Sequence, residues 1–184
     1  MRKMKHYLIV PLALCAFLLS MSACGDDEEE SIQPVTVDSV KGDFTGTLVV
    51  GSGEAVAETL TVGDDIVVAD FPVDSIIKIV VPQEHFEEAT ATAETVDCTI
   101  GYTASVFGFN LFLELTPEPL EFDVTYGGGS HTVNAVLYTT KRGHYNGTSN
   151  GMSFELLLES VSLDGENVGI PASLSYQFDM TKGV

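Results

Sequence analysis

Positive charge is scarce: eight lysines and arginines stand against 27 aspartates and glutamates, a formal net charge of −19. Affinity for nucleic acid comes from Lys and Arg displacing counterions from phosphates, so a chain of this sign is excluded as a nucleic-acid binder. Anionic lipid surfaces are disfavoured for the same reason. Tryptophan is absent, which removes the usual platform for stacking a sugar. The three cysteines, Cys15, Cys24 and Cys98, are too few and too scattered for a disulfide framework. No His-x-x-x-His or paired-cysteine spacing occurs, so neither a metal nor a cofactor is expected. The histidines after residue 80, His85, His131 and His144, are dispersed, and Cys98 falls on an apolar face, a poor start for nucleophilic catalysis. The expectation is a noncatalytic protein with no catalytic residue. Asp64-Asp65 and Asp164-Gly165-Glu166-Asn167 carry oxygen ligands, but at turn positions where these residue types serve the turn itself.

Long apolar runs are also missing. The one candidate, residues 7–19, is about 13 residues, roughly 20 Å as a helix against a hydrocarbon core of about 30 Å. It follows Arg2, Lys3 and Lys5 and precedes small residues at 20–23, the three parts of a secretory signal peptide. Residues 1–23 are therefore expected to be removed, leaving five basic against 27 acidic residues, a net of −22. Residues 25–37 have acids, Ser31, Gln33 and Pro34 but no apolar period, which predicts a flexible tether. The organisation expected is thus a signal peptide at 1–23, a tether at 24–39 and one β domain at 40–184.

Cys24 follows Leu19-Ser20-Met21-Ser22-Ala23 and precedes Gly25-Asp26-Asp27-Glu28-Glu29-Glu30. The first stretch resembles a bacterial lipobox, with Met21 where leucine is usual. The acidic run resembles the export signal that Bacteroidetes lipoproteins carry after the acylated cysteine. That resemblance implies lipidation of Cys24, a membrane partner reached through the lipid, and residence on the outer face of the outer membrane, the periplasmic face being the other destination.

Along the rest of the chain period-2 alternation recurs, the mark of strands with one buried face. Phe44, Gly46, Leu48 and Val50 share a face, as do Val56, Leu60 and Val62, and Val96, Cys98, Ile100, Tyr102, Ala104 and Val106. Phe109, Leu111, Leu113 and Leu115 read inward, then Leu120, Phe122, Val124 and Tyr126, with a hairpin at the triple glycine 127–129 leading into 131–140. Further strands are expected at 143–149, 152–163 and 172–180, with Asp164-Gly165 as a hairpin turn. Pro72 and the residues after it predict a short helical insertion near 72–93, ended or restarted at Pro82. About ten short strands with regular turn signals define an all-β fold, a β-sandwich or a calycin-like barrel.

Lys41-Gly42-Asp43-Phe44-Thr45-Gly46-Thr47 and Arg142-Gly143-His144-Tyr145-Asn146-Gly147-Thr148 share one pattern: cation, Gly, x, aromatic, x, Gly, Thr. Glycines on either side of an aromatic let a neighbouring backbone approach closely, which predicts a core device. Residues 41–48, Asp70-Phe71-Pro72-Val73 and Gly143-His144-Tyr145 resemble uncharacterised Bacteroidetes lipoproteins of a domain of unknown function. The Gly-x-aromatic-x-Gly strand is more weakly similar to calycin-like domains. The likeness implies a surface lipoprotein with a β fold and transfers no catalytic residue.

Outward apolar residues mark the candidate binding surface: Phe112, Val136, Tyr138 and Leu157. Asp38-Ser39 and Asp74-Ser75 resemble acceptors of Bacteroidetes O-glycosylation. The expected role is a noncatalytic binding module for a protein, glycan or apolar ligand, the alternative being an accessory structural subunit of an outer-membrane complex.

Overall fold

A computed structural model describes residues 34–170 and 173–183. The signal peptide, Cys24 and the acidic run lie outside the described residues. Eleven strands form: β1 (Gly42–Val50), β2 (Ala55–Val62), β3 (Asp65–Val68), β4 (Cys98–Phe107), β5 (Asn110–Pro117), β6 (Leu120–Tyr126), β7 (Gly129–Tyr138), β8 (Gly143–Asn146), β9 (Gly151–Leu163), β10 (Glu166–Val168) and β11 (Ser175–Lys182). Two helices, α1 (Asp74–Val80) and α2 (Phe86–Thr92), fall between β3 and β4.

Of sandwich and barrel, the chain forms the barrel. The strands run β1-β2-β3-β4-β5-β8-β9, and β11 pairs with both β9 and β1, closing an eight-stranded antiparallel ring. The short β3 meets β2 at Thr61 and Val62 and β4 at 98–101, so residues 55–60 of β2 and 102–107 of β4 have no strand beside them on that side. Strand β9 is the hub. Its first half lies between β8 and β11, and its second half leaves the ring to pair with β7 on one side and β10 on the other, with β6 beyond β7. A register shift at Val136/Leu137 leaves Glu159 and Ser160 both exposed on β9, so the inward residues change phase from Leu156 and Leu158 to Val161.

The turn signals act as their chemistry requires. Gly127 and Gly128 take φ of 59° and 81° between β6 and β7, and Asp164 and Gly165 take 52° and 82° between β9 and β10, two positive values in each turn as a type I′ hairpin demands.

The repeated glycine-aromatic motif is a core device, and its two copies meet. Phe44 and Tyr145 are buried on opposite sides of the ring and touch edge to face, centroids 6.2 Å apart at 80°. A Cβ built on Gly46 would collide with the Asp179 carbonyl oxygen, and one on Gly147 with Val35. Only glycine lets these two segments approach so closely.

Among the described residues the interior is filled. Phe44, Leu48, Ile66, Val68, Ile100, Leu111, Leu113, Tyr176 and Met180 have no accessible surface, so none of them borders a water-sized void. Phe154 and Phe178 stack at 4.4 Å and 13° in the same core. The core continues into α1. Its β-branched Ile76 and Ile77 are poor intrinsic helix formers, but each is fully buried, and burial of about 1.5–3 kcal/mol per side chain outweighs a propensity cost of a few tenths. Phe71, just before α1, lies 4.6 Å from the Tyr176 ring. Helix α2 covers the open edge of β6: Thr125 N–H donates to Thr92 Oγ1 at 2.9 Å and Glu94 N–H to Asp123 O at 3.0 Å.

Two readings of the alternation need correction. It places Val106 and Phe109 on inward faces, but they are 49 % and 44 % exposed, and Phe107 is 74 % exposed. Strand β3 flanks β4 only as far as Gly101, so the end of β4 has no strand on that side to pack against, and Phe109 occupies the turn after Gly108 (φ 62°). Val56, at the far end of β2, is 51 % exposed for the same reason. Packing begins before residue 40: Val35 is buried, so part of the segment expected to be tether lies on the barrel.

Candidate functional site

With a filled interior, chemistry available to a ligand lies on the outer wall. Three of the four outward apolar residues come together there. Tyr138 is directly opposite Leu157, and Val136 precedes Tyr138 by two residues on the same face. Tyr138 is 38 % exposed, while Val136 and Leu157 are half-buried. They point away from Val133, Ala135 and Leu137, the buried set of β7. Phe112 stands apart on β5, opposite His144 on β8, with ring centroids 5.5 Å apart.

Between Phe112 and the other three lies a polar strip that the sequence reading did not single out. A groove of about 330 Å³ is lined by Lys141, Arg142, His144, Ser153, Glu155 and Gln177, with Phe154 and Phe178 beneath. Register explains the assembly, since His144 is opposite Ser153 and Glu155 opposite Gln177. Each group is held. Arg142 Nη2 donates to Glu114 Oε1 at 2.8 Å, and Gln177 Nε2 to Glu155 Oε1 at 3.4 Å, with Lys141 Nζ 3.9 Å from the other Glu155 oxygen. His144 Nε2 lies 3.0 Å from Asn110 Oδ1, which also accepts from Asn146 Nδ2. The strip carries donors and acceptors of both signs between two apolar flanks.

Elsewhere the candidate groups do local work. His131 Nδ1 is 2.8 Å from Asp164 Oδ2, and Thr132 N–H donates to the other Asp164 oxygen at 3.0 Å. The His131 hydrogen bond, then that backbone donor, holds the Asp164 carboxyl below the usual range. Tyr126 stacks on His131 at 4.2 Å and meets His85 at 5.3 Å. Cys98 is fully buried, and burial first, then Glu118, pushes its thiol up to about 12. A thiol in that state is neutral and unreactive. Burial also raises Tyr176, whose hydroxyl has no hydrogen-bond partner among the described residues.

Gly147-Thr148-Ser149-Asn150-Gly151 spells Gly-x-Ser-x-Gly, the spacing of a nucleophile elbow. That device is a strand-to-helix turn, whereas these residues join strand β8 to strand β9. Ser149 Oγ lies 3.3 Å from Asn146 Oδ1 and accepts from Gly151 N–H, so it serves the loop. Of the sequence's glycosylation candidates, Ser39 is half-buried and its hydroxyl accepts from Thr36 N–H at 2.9 Å, while Ser75 is half-buried in the first turn of α1. No group of three metal-ligating side chains occurs among the described residues, and no helix among them is long and apolar enough to cross a membrane.

The architecture and this outer wall define an all-β, eight-stranded barrel of calycin-like form. Residues 39–163 match the family model described as Domain of unknown function (DUF4840), so the chain belongs to that family. Comparison with curated proteins and with solved structures gave no match.

Proposed function

We propose that the protein is a noncatalytic binding module, held at the outer membrane by lipid on Cys24, that recognises a protein or glycan with the outer wall of its barrel. The observation that carries this reading is the contrast between inside and outside. Side chains with no accessible surface leave an apolar ligand no room within the ring. On the wall, the Lys141–Gln177 strip offers convergent polar groups between Phe112 and the Tyr138–Leu157 pair, the combination that fixes and orients a ligand. The lipobox resemblance at 19–24 and the acidic run at 26–30 support a Bacteroidetes lipoprotein on the outer face of the membrane.

The test is recovery of bound material from native membranes with the wild-type chain and with Tyr138→Asp/Leu157→Asp and Arg142→Ala. A glycan or protein lost with both variants supports the reading. Equal recovery with all three chains contradicts it. The apolar trio on its own favours the second role, a structural subunit of a membrane complex. One stoichiometric protein partner lost with Tyr138→Asp/Leu157→Asp but kept with Arg142→Ala identifies that case.

A further inference from the structure

The β4–β5 hairpin tip has no part in the outer-wall site, and it is unlike the rest of the surface. Three of the largest exposed apolar side chains, Val106, Phe107 and Phe109, cluster there. Strand β5 stays in the ring, paired with β8 as far as Asn110, but β3 flanks β4 only as far as Gly101, and from Ser105 to Phe107 β4 is exposed. A protein with 27 acidic residues has none at 102–113, and none in the neighbouring β8–β9 stretch 143–154, which also lacks Lys and Arg, as does the hairpin. On the strand pair itself the nearest acid is Glu114, level with Thr103, four residues or about 13 Å back from Phe107. Its carboxylate is engaged by Arg142 at 2.8 Å.

The described chain also begins at this end. Gly147 N–H donates to Phe109 O at 2.8 Å, and Val35 lies directly over Gly147. The short turn at Val37–Val40 packs on β4 and adds Val37, 44 % exposed, beside Asp38, whose carboxylate pairs with Lys41 at 3.4 Å. Nine residues, ten steps of the chain, separate Cys24 from Pro34, a span of at most about 35 Å. A bilayer holding acyl chains on Cys24 is thus within one tether length of this uncharged hairpin tip.

We propose that this tip seats on that bilayer, with Phe107 entering the boundary between headgroups and acyl chains and Val106 and Phe109 beside it. The proposal rests on acylation of Cys24. It adds a second contact, fixing which end of the barrel faces the lipid and turning the outer-wall groove sideways to it. Because the tip is uncharged, the contact is apolar and needs no anionic lipid.

The chain lacks tryptophan, so Phe107→Trp installs a sole reporter at an exposed position where folding is not at stake. The lipidated protein carrying it is reconstituted into phosphatidylcholine vesicles containing phospholipid brominated near the headgroup end of its chains, with Tyr138→Trp as the comparison. Intact mass on the same sample reads the lipid. The expected result is an acylated chain in which the indole at position 107 shifts its emission to the blue and loses it severalfold with brominated lipid, while the indole at position 138 does not change. An acylated Phe107→Trp chain with unquenched emission overturns the seat and leaves the anchor standing, including the case where the emission shifts to the blue without quenching because a second copy covers the tip. A chain with no lipid mass overturns both.

Discussion

Alanine at Gly46 puts a methyl group into the backbone of the neighbouring strand. A Cβ there would lie 2.7 Å from Met180 Cα and 3.0 Å from the Asp179 carbonyl carbon, closer still to the carbonyl oxygen. Ordinary carbon–carbon contact is about 3.5–4.0 Å, so β1 and β11 must part by nearly 1 Å at the seam that closes the ring. Neither strand is free to move, because β1 is also paired with β2 and β11 with β9. The cost falls at or above the upper end of the overpacking range, about 3 kcal/mol, which lowers Tm by about 6–12 °C in a domain of this size. Gly169→Ala is the matched control: nothing lies within 4 Å of its Cβ and its φ is not positive, so it is neutral or gains a few tenths through the unfolded state. Thermal unfolding followed by circular dichroism compares the two. A Gly46→Ala protein that melts within about 2 °C of Gly169→Ala refutes the closed seam.

Tyr176→Phe removes a buried hydroxyl that has no partner among the described residues, so it stabilises by about 1 kcal/mol in denaturant titration; a loss of stability contradicts that accounting. Cys98 in the folded protein resists alkylation at about pH 8, with a labelling rate that follows global unfolding, and fast labelling of the native chain contradicts its burial. Asp164 has its carboxyl held below the ordinary value of about 3.9, so its contribution is fully present above that value and lost as pH falls through the folded one. Stability curves of wild type and Asp164→Asn should therefore differ above about pH 4 and converge in more acidic solution. Tyr138→Asp/Leu157→Asp leaves stability within about 1 kcal/mol while abolishing recovery of bound material.

Local features are readable from sequence where one segment contains all the information. Leu120, Phe122, Val124 and Tyr126 alternate cleanly because β6 keeps one face on the core throughout, and Asp164-Gly165 turns because its backbone needs two positive φ values. The shared glycine-aromatic pattern is readable as a packing device, though only the fold brings Phe44 against Tyr145. Alternation names a face without saying what covers it, which is why it reads Val106 and Phe109 as inward where β4 outruns β3 and enters its turn. Nor does it give long-range register. The split of β9 between two sheets, with its shift at Val136/Leu137, brings Tyr138 to Leu157 and leaves Phe112 two strands away. The groove residues Lys141, Arg142, His144, Glu155 and Gln177 read as ordinary loop and solvated strand positions until register assembles them.

Both the binding role and the seat of the hairpin tip depend on how the protein is held, and intact mass spectrometry of the chain purified from native membranes reads that directly. The account predicts a polypeptide starting at Cys24 with the added mass of acyl chains. A chain that starts elsewhere, or a Cys24 with an unmodified thiol and amine, contradicts it.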